Sequence, residues 1–155
     1  MKISKKTDYA LRALVMLAEQ EPGTLVSIRH LAEANDIPKR FLEQIMLDLR
    51  ERGWVRGVTG RIGGYALAIP ADMLTMGHVV RHFDGVIAPI GCVSVARYEP
   101  CSQETRCRFR RVFLDARNHA ARMLDRLTLA DLLRTHPVST ADLSDLAVYA
   151  SSSRR

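Results

Sequence analysis

Hydrophobic residues in the first fifty positions recur every three or four residues, which is the period of an amphipathic helix. A first helix is predicted over 4–19, with a buried stripe at Ala10, Ala13, Leu14, Leu17 and Ala18. Ser27 offers an N-cap for a short second helix whose inward residues are Ile28, Leu31 and Ala32. A third helix follows Pro38 and ends at Gly53, with an inward face at Phe41, Leu42, Ile45, Met46 and Leu49.

After Gly53 the pattern changes to two short strands, at 54–56 and 65–68, which flank the glycine-rich stretch 57–64. Such an arrangement predicts a β-hairpin with a glycine tip. A fourth helix is predicted over 75–83, and a loop that contains Pro89, Gly91 and Pro100 follows it.

From residue 109 the helical period returns and continues for about five turns. Six apolar residues follow one another at alternate steps of four and three: Phe109, Phe113, Ala116, Ala120, Met123 and Leu127. So narrow a seam favours pairing with a second helix, although packing on the chain's own domain remains an alternative. Thr128 is placed to cap a last short helix, and the chain beyond Pro137 is rich in serine, alanine and aspartate.

These elements predict a mainly α fold with a small β-hairpin wing, namely a winged helix-turn-helix domain plus a long dimerisation helix. The predicted division assigns 1–84 to the DNA-binding domain and 85–108 to a cysteine-containing cofactor loop. It assigns 109–136 to the dimerisation helix with the short terminal helix, and 137–155 to a flexible tail.

In a helix-turn-helix motif the second of its two helices, here the third predicted helix of the chain, enters the major groove of DNA with its exposed N-terminal residues. In this chain those residues are Lys39, Arg40, Glu43 and Gln44. Their side chains suit base edges: arginine pairs with guanine, glutamine with adenine, and glutamate with cytosine. The wing tip adds Arg61 and Gly63, and the predicted phosphate contacts are Lys5 and Arg56, together with Lys2 and Lys6. A solvated charged face is the alternative, but the order of helix, turn, helix and wing favours DNA.

The net charge of +6 over 155 residues is consistent with a polyanionic partner. The hydrophobic content of 47% is sufficient for a folded core. The first twenty residues do not form a signal peptide, since Asp8 and Arg12 interrupt their apolar part. No uncharged run approaches the roughly 18 residues that a membrane span requires. We therefore expect a cytoplasmic protein with no membrane partner.

The three cysteines, Cys92, Cys101 and Cys107, all lie within 92–107 and are flanked by arginines. Nearby cations stabilise thiolates, which are both the metal-binding and the redox-reactive form. The cluster predicts one soft-metal or redox centre that needs a fourth ligand. An iron–sulfur cluster, a reversible disulfide switch and inert cysteines are the main alternatives, since zinc sites usually use pairs spaced by two to four residues.

An enzyme is not expected, because no Ser-His-Asp, Walker or zinc-hydrolase motif is present. A redox carrier remains a less favoured alternative, since it would have no need for Arg40, Gln44 and the wing. The histidines are interpreted as surface or satisfied residues: His30, His78, His82, His119 and His136.

The chain resembles the Rrf2 family of bacterial winged-helix regulators over about 1–135. The resemblance rests on Thr7-Asp8-Tyr9-Ala10-Leu11-Arg12, Phe41-Leu42-Glu43-Gln44, Gly60-x-x-Gly63-Gly64-Tyr65-x-Leu67, Asp84-Gly85-x-Ile87-Ala88-Pro89, the three cysteines and Thr128-Leu129-Ala130-Asp131-Leu132. That family contains iron–sulfur, nitric-oxide, iron and cysteine-metabolism repressors. The resemblance implies a DNA-binding repressor that is a homodimer on a palindromic operator. It also implies a 2Fe-2S or 4Fe-4S cluster bound by Cys92, Cys101 and Cys107.

The chain departs from the family pattern at two positions. The wing reads Thr59-Gly60-Arg61, whereas the family often has arginine before the first glycine. Arg110 stands where one branch carries a histidine ligand, and a cation does not coordinate iron. The resemblance implies Asp8 of the partner subunit as the fourth ligand, with His78, His82 and His119 as competitors. A cofactor-free regulator that acts with a protein partner is the alternative.

Overall fold

The computed structural model describes residues 2–60, 62–139 and 141–142. The chain forms α1 (Lys5–Ala18), α2 (Ile28–Ala34), α3 (Lys39–Glu51), β1 (Val55–Val58), β2 (Gly64–Leu67), α4 (Met76–Phe83), a 3-10 turn (Gly91–Val93), α5 (Phe109–Arg126) and α6 (Leu129–Leu132). The predicted mainly α fold with a small hairpin is confirmed. No helix within the described ranges is both long and apolar enough to cross a membrane.

Hydroxyl side chains fix the starts of α1, α2, α4 and α6, because each accepts a hydrogen bond from an otherwise unpaired amide of the first turn. Ser4 accepts from the Thr7 amide at 3.2 Å, and Ser27 accepts from the His30 amide at the same distance. Thr75 and His78 bond reciprocally at the start of α4, which forms a capping box.

The core lies where α1, α2 and α3 meet, and its members are fully shielded from solvent. They include Leu14, Leu31, Leu42, Ile45, Met46 and Leu49, each 0% exposed. The prediction that Phe41 belongs to this inward face is wrong, since its side chain is 40% exposed. Phe41 lies at the rim of the face and contacts Tyr9 edge-to-face, with ring centroids 5.7 Å apart.

The hairpin is antiparallel, with Val55 opposite Leu67 and Val58 opposite Gly64. Val26, which precedes α2, extends this pairing by exchanging backbone hydrogen bonds of 2.8 and 2.9 Å with Tyr65. Gly64 permits the approach, because a Cβ atom there would lie 2.6 Å from the Val26 carbonyl oxygen. The wing is therefore fixed to the same unit as α2.

Helix α5 packs along α4, and the predicted seam is only partly exposed. Ala120 is 9% exposed and lies between the two helices, so its assignment to a pairing face is wrong. Because α4 covers the side of α5 that carries Ala120, that side is not available to a second copy of the helix. The exposed apolar stripe is shifted round the helix to Phe109, Val112, Ala116 and Met123.

Helix α6 completes the core that α1, α2 and α3 form. Leu129 is 0% exposed, and its amide donates to the Leu74 carbonyl at 2.8 Å. The Met76 amide likewise donates to the Leu127 carbonyl at 2.8 Å. The sequence-based division grouped α6 with the dimerisation helix, yet α6 packs against α1. Most of the predicted tail, 140 and 143–155, lies outside the described residues.

Candidate nucleic-acid interface and cysteine segment

The outward side of α3 presents polar side chains at its N-terminal end. Lys39, Arg40 and Gln44 are exposed and Glu43 is half-buried. Lys39 and Glu43 form an ion pair at 3.5 Å. Within the described ranges, the side chains of Arg40 and Gln44 form no hydrogen bond or ion pair. These two side chains are therefore available to an external partner.

The orientation of α3 is fixed from the other side. Leu42, Ile45 and Met46 hold its inward face in the core. Lys6 of α1 pairs with Asp48 at 2.6 Å and lies over the Phe83 ring at 5.2 Å. Lys6 thus fastens α1 to α3 and α4, and its predicted role as a phosphate contact competes with this one.

The wing tip is shaped by glycines. Gly60 has φ +114°, which an L side chain rarely adopts, and its carbonyl accepts from the Gly63 amide at 3.0 Å. A Cβ atom at Gly63 would overlap the Val58 carbonyl oxygen, so the turn requires glycine there. Ile62 is 90% exposed, which the sequence analysis missed although its position between glycines was a signal. Arg61 lies outside the described residues.

The residues predicted to contact phosphates differ in whether their side chains already have a partner within the chain. Lys5 and Lys2 are exposed and have no partner among the described residues. Arg56 is also exposed, but its guanidinium donates to the Gly23 carbonyl at 2.9 Å. Arg56 therefore holds the loop between α1 and α2 against the wing, which leaves the remaining donors of its guanidinium for a phosphate.

The cysteine segment, residues 85–108, connects α4 to α5. Cys92 lies in the 3-10 turn and Cys107 lies just before α5; both are partly buried, whereas Cys101 is exposed. Cys92 and Cys107 line one cleft of about 480 Å³ together with Tyr98 and Arg110. Cys101 does not line it.

The thiols fit an iron–sulfur cluster in donor chemistry, because soft thiolates are its ordinary ligands. Their arrangement is not preassembled: among the residues that the structure describes, no three His, Cys, Asp or Glu side chains are grouped to hold a metal ion. Two thiols share a cleft and the third would have to approach it. Binding would therefore require the segment around Cys101 to move.

Arginines of α5 hold the segment by its carbonyl groups. Arg110 donates to the Cys92 carbonyl at 2.9 and 3.3 Å, and Arg117 donates to the Val93 carbonyl at 2.7 Å. These arginines are seven residues apart and lie on one helical face. The turn that carries Cys92 is therefore fastened to α5.

Glu104 joins the Cys101 part of the segment to the same helix. Its carboxylate accepts from the Tyr98 hydroxyl at 2.7 and 2.8 Å and from the Cys101 amide at 3.1 Å, and it pairs with Arg110 at 3.0 Å. The Tyr98 hydrogen bond, the Cys101 amide and the Arg110 charge lower the pKa of Glu104. This connecting role of Glu104 was not predicted from the sequence, although the residue lies midway between Cys101 and Cys107.

The predicted fourth ligand, Asp8, lies elsewhere in its own chain. Its carboxylate pairs with Arg12 at 2.8 Å, in a cleft formed by α1 and the end of α2. No residue of the cysteine segment lines that cleft. Ligation by Asp8 was predicted across subunits, and it stays a prediction.

A different carboxylate, Asp84, links α1 to the beginning of the cysteine segment. It accepts from the Ser4 amide at 2.9 Å and from the buried Thr7 hydroxyl at 2.7 Å. Burial acts to raise the pKa of Asp84, but the hydrogen bonds from Ser4 and Thr7 outweigh it and lower the pKa. Asp84 is therefore a structural anchor.

Comparison with known proteins settles the family. The Rrf2 family, described as iron-dependent transcriptional regulators, matches residues 3–135. This chain belongs to the Rrf2 family. The resemblance inferred from the motifs is thereby confirmed.

Relatives of this Rrf2 chain are transcriptional regulators rather than enzymes. An HTH-type regulator of Rhodobacter capsulatus described as rrf2-like is 39% identical over 137 residues, which cover 84% of this chain and 91% of that protein. NsrR of Bacillus subtilis is 32% identical over 134 residues, covering 86% and 91%. The solved structure of CymR, the global cysteine regulator of Bacillus subtilis, has a TM-score of 0.69 at 30% identity and covers 88% of this chain and 99% of that one.

Proposed function

We propose that this Rrf2 regulator is a repressor that binds a palindromic operator as a homodimer, with an affinity set by an iron–sulfur cluster on its three cysteines. The observation that carries the DNA-binding part is the pair Arg40 and Gln44, exposed and unpartnered at the start of α3. Their donors and acceptors suit the edges of guanine and adenine. Lys5 and Lys2, equally free, suit phosphates and would add affinity without sequence preference.

The exposed stripe on α5 supports the homodimer. Phe109, Val112 and Met123 are 62%, 66% and 50% exposed, and they follow one side of an eighteen-residue helix. Burying each large apolar side chain contributes roughly 1.5–3 kcal/mol. A second copy of α5 offers a matching stripe, and a two-fold dimer reads two half-sites of a palindrome.

Three thiols within one segment, in a family described as iron-dependent, support the cluster. Cys92, Cys101 and Cys107 would hold it, and Asp8 of the partner subunit stays our candidate for the fourth ligand. A bound cluster supplies redox and ligand-exchange chemistry. The protein's own contribution is to place the thiols, through Arg110, Arg117 and Glu104, next to the first turns of α5.

DNA binding is tested by substitutions on α3 with a matched control on α2. Arg40→Ala and Gln44→Ala should each cost about 1–3 kcal/mol of operator binding and relax preference at particular base pairs. Arg29→Ala is the control, because Arg29 is also an exposed helical arginine, paired only with Glu33 at 2.8 Å. Binding-site selection and titration at two salt concentrations measure both effects. An unchanged selected site in both α3 variants would contradict the recognition role.

The dimer is tested by Val112→Asp, which places a charge on the exposed stripe. Native mass measurement should show a dimer for the parent chain and a monomer for this variant. Arg111→Asp is the control, since Arg111 is equally exposed and lies on another side of α5. A parent chain that is monomeric at micromolar concentration would overturn the homodimer.

The cluster is tested by anaerobic purification with iron and sulfide analysis. Cys101→Ala should lose the visible absorption band while its helical content is retained. Asp8→Ala should change the spectrum and shorten the lifetime of the cluster, because it removes one of the four proposed ligands. Full iron and sulfide occupancy in Cys101→Ala would contradict the three-cysteine site.

A thiol-disulfide switch is the second candidate, because Cys92 and Cys107 line one cleft. Mild oxidation of the metal-free protein should then join these two cysteines and leave Cys101 as a free thiol. Peptide mass mapping identifies the linked pair, and operator titration shows whether the link changes affinity. Oxidation that leaves all three thiols unlinked removes this candidate.

A further inference from the structure

The side chains around the cysteines form a continuous polar chain from the loop to α5. It runs from the Cys101 amide to the Glu104 carboxylate, from there to the Arg110 guanidinium, and from there to the Cys92 carbonyl. Every contact in it is 3.1 Å or shorter. The Tyr98 hydroxyl adds a further donor to Glu104.

We propose that Glu104 and Arg110 are positioning residues that fasten both the Cys92 turn and the Cys101 loop to the first turn of α5 and so limit the exposure of Cys92. Tyr98, Glu104 and Arg110 together form what we call the latch. This inference rests on the proposed function only in treating the cysteines as the sensing site.

Burial and charge support a latch rather than a chance surface pair. The side chains of Glu104 and Arg110 are 18% and 33% exposed, whereas the neighbouring pair Arg111 and Asp115 is 78% and 56% exposed. Partly shielded ion pairs that also carry hydrogen bonds are stronger than exposed pairs. Arg111 and Asp115 also belong to one helix, so their pair connects no two segments.

The latch determines where motion of the loop is transmitted. Arg110 lies in the first turn of α5, so a shift of Cys92 or Cys101 acts directly on that helix. Residues 85–108, all described, contain Val93 as the one buried side chain. Residues 95–103 are all exposed, so polar contacts such as this chain are what restrain the part of the segment around Cys101. Drawing Cys101 toward the cleft would break the bond between its amide and Glu104.

The latch is tested by alkylation kinetics on the metal-free, full-length protein. Iodoacetamide is the probe, and peptide mass spectrometry gives a rate for each cysteine. Glu104→Gln and Arg110→Ala should each raise the rate at the partly buried Cys92 about fivefold, because the local opening that exposes it becomes more frequent. The exposed Cys101 is the internal reference and should change less than about twofold.

A matched control and a double variant separate the latch from general loosening. Arg122→Ala should leave the Cys92 rate unchanged, because Arg122 is an exposed arginine of α5 that does not line the Cys92 cleft. The Glu104→Gln/Arg110→Ala double variant should be no faster than the faster single variant, because both remove one connection. Rates that multiply in the double variant, or equal rates in Glu104→Gln and the parent chain, would overturn the latch.

Tyr98→Phe is a milder variant in case Arg110→Ala fails to fold. It removes one hydrogen bond to Glu104 and should raise the Cys92 rate by a smaller factor; an unchanged rate counts against the latch. A protein that shows these rates but takes up no iron and sulfide would retain the latch and refute the cluster. If the protein binds the cluster and every variant shows the parent's Cys92 alkylation rate, the cluster is retained and the latch is refuted.

Discussion

The DNA-binding region and the cysteine segment are held in place by different kinds of contact. Helices α1 to α3 share a core whose members, such as Leu14 and Leu42, are 0% exposed. The cysteine segment has a single fully buried side chain, Val93, and is also held by hydrogen bonds that Arg110 and Arg117 donate and that Glu104 accepts. Apolar burial is insensitive to redox state and ligand, whereas a few polar bonds worth about 0.5–1.5 kcal/mol each are easily exchanged. The helical region is therefore held by a shared apolar core, whereas the part of the segment around Cys101 depends on polar contacts that are more easily exchanged.

The largest expected effect contrasts the two regions directly. Leu14→Ala should lower the free energy of unfolding by about 2–5 kcal/mol, because it removes transfer energy and leaves a cavity. Val95→Ala, at a 66% exposed position of the cysteine segment, should change it by less than about 0.5 kcal/mol. Urea denaturation followed by circular dichroism measures both. Equal losses at the two positions would show that the segment shares the core.

The next effect lies at the junction of α4 and α5. A Cβ atom at Gly77 would overlap the Asp125 carboxylate and lie 3.0 Å from the Asp125 backbone, where Arg81 also pairs with Asp125. Gly77→Ala should therefore cost about 1–3 kcal/mol of unfolding free energy by forcing the helices apart. The control is Gly57→Ala, whose Cβ would meet only the movable Tyr65 ring at 3.1 Å. A Gly77→Ala protein as stable as this control would refute the close contact.

A smaller effect is expected where Asp84 joins α1. Thr7→Val preserves shape but removes the buried hydroxyl that donates to Asp84 at 2.7 Å. We expect a loss of about 1 kcal/mol, since the Ser4 amide still satisfies the carboxylate in part. Thr24→Val, at an exposed threonine, is the control, and thermal unfolding of both variants measures the difference. If the two variants melt together, the anchor contributes nothing to stability.

The smallest effect is a pH dependence from His82 at the end of α4. Burial and the neighbouring Arg52, which donates to His82 Nδ1 at 3.0 Å, lower the pKa of His82. The unfolded chain, with a histidine pKa of about 6.5, therefore takes up the proton first. Stability should fall as pH drops from about 6.5 to the folded pKa, and level off below it.

His82→Gln should remove that slope, and His136→Gln, at an exposed histidine, should retain it. Denaturant titrations between pH 7 and 5 provide the measurement. A parent protein whose stability rises as the solution is acidified through this range would show that the sign is wrong.

Sequence patterns predicted the elements that repeat regularly. The helical period placed Leu14, Leu31 and Leu42 in the core, and the predicted caps Ser27 and Thr128 do mark helix starts. The polar face of α3 followed from the same period, because residues opposite a buried face must be exposed. Periodicity failed at face edges: Phe41 lies at a rim, and Ala120 faces α4 instead of the outer stripe.

The cysteine segment has no period, so its contacts were not predictable in the same way. Glu104 and Arg110 are distant from Cys92 in sequence, and their meeting depends on how the loop returns to α5. The clustering of the cysteines indicated a site, but not that two thiols would share a cleft and the third would lie outside it.

The sequence by itself determined the winged helix-turn-helix, the family and the exposed polar face of α3, because the helical period and capping are local properties of the chain. The tertiary structure decided which side of α5 is free, how α6 closes the core and how Glu104 and Arg110 bridge the cysteines. Those outcomes depend on contacts between residues far apart in the chain. Their energies are set by geometry and shielding from water, which no local pattern specifies.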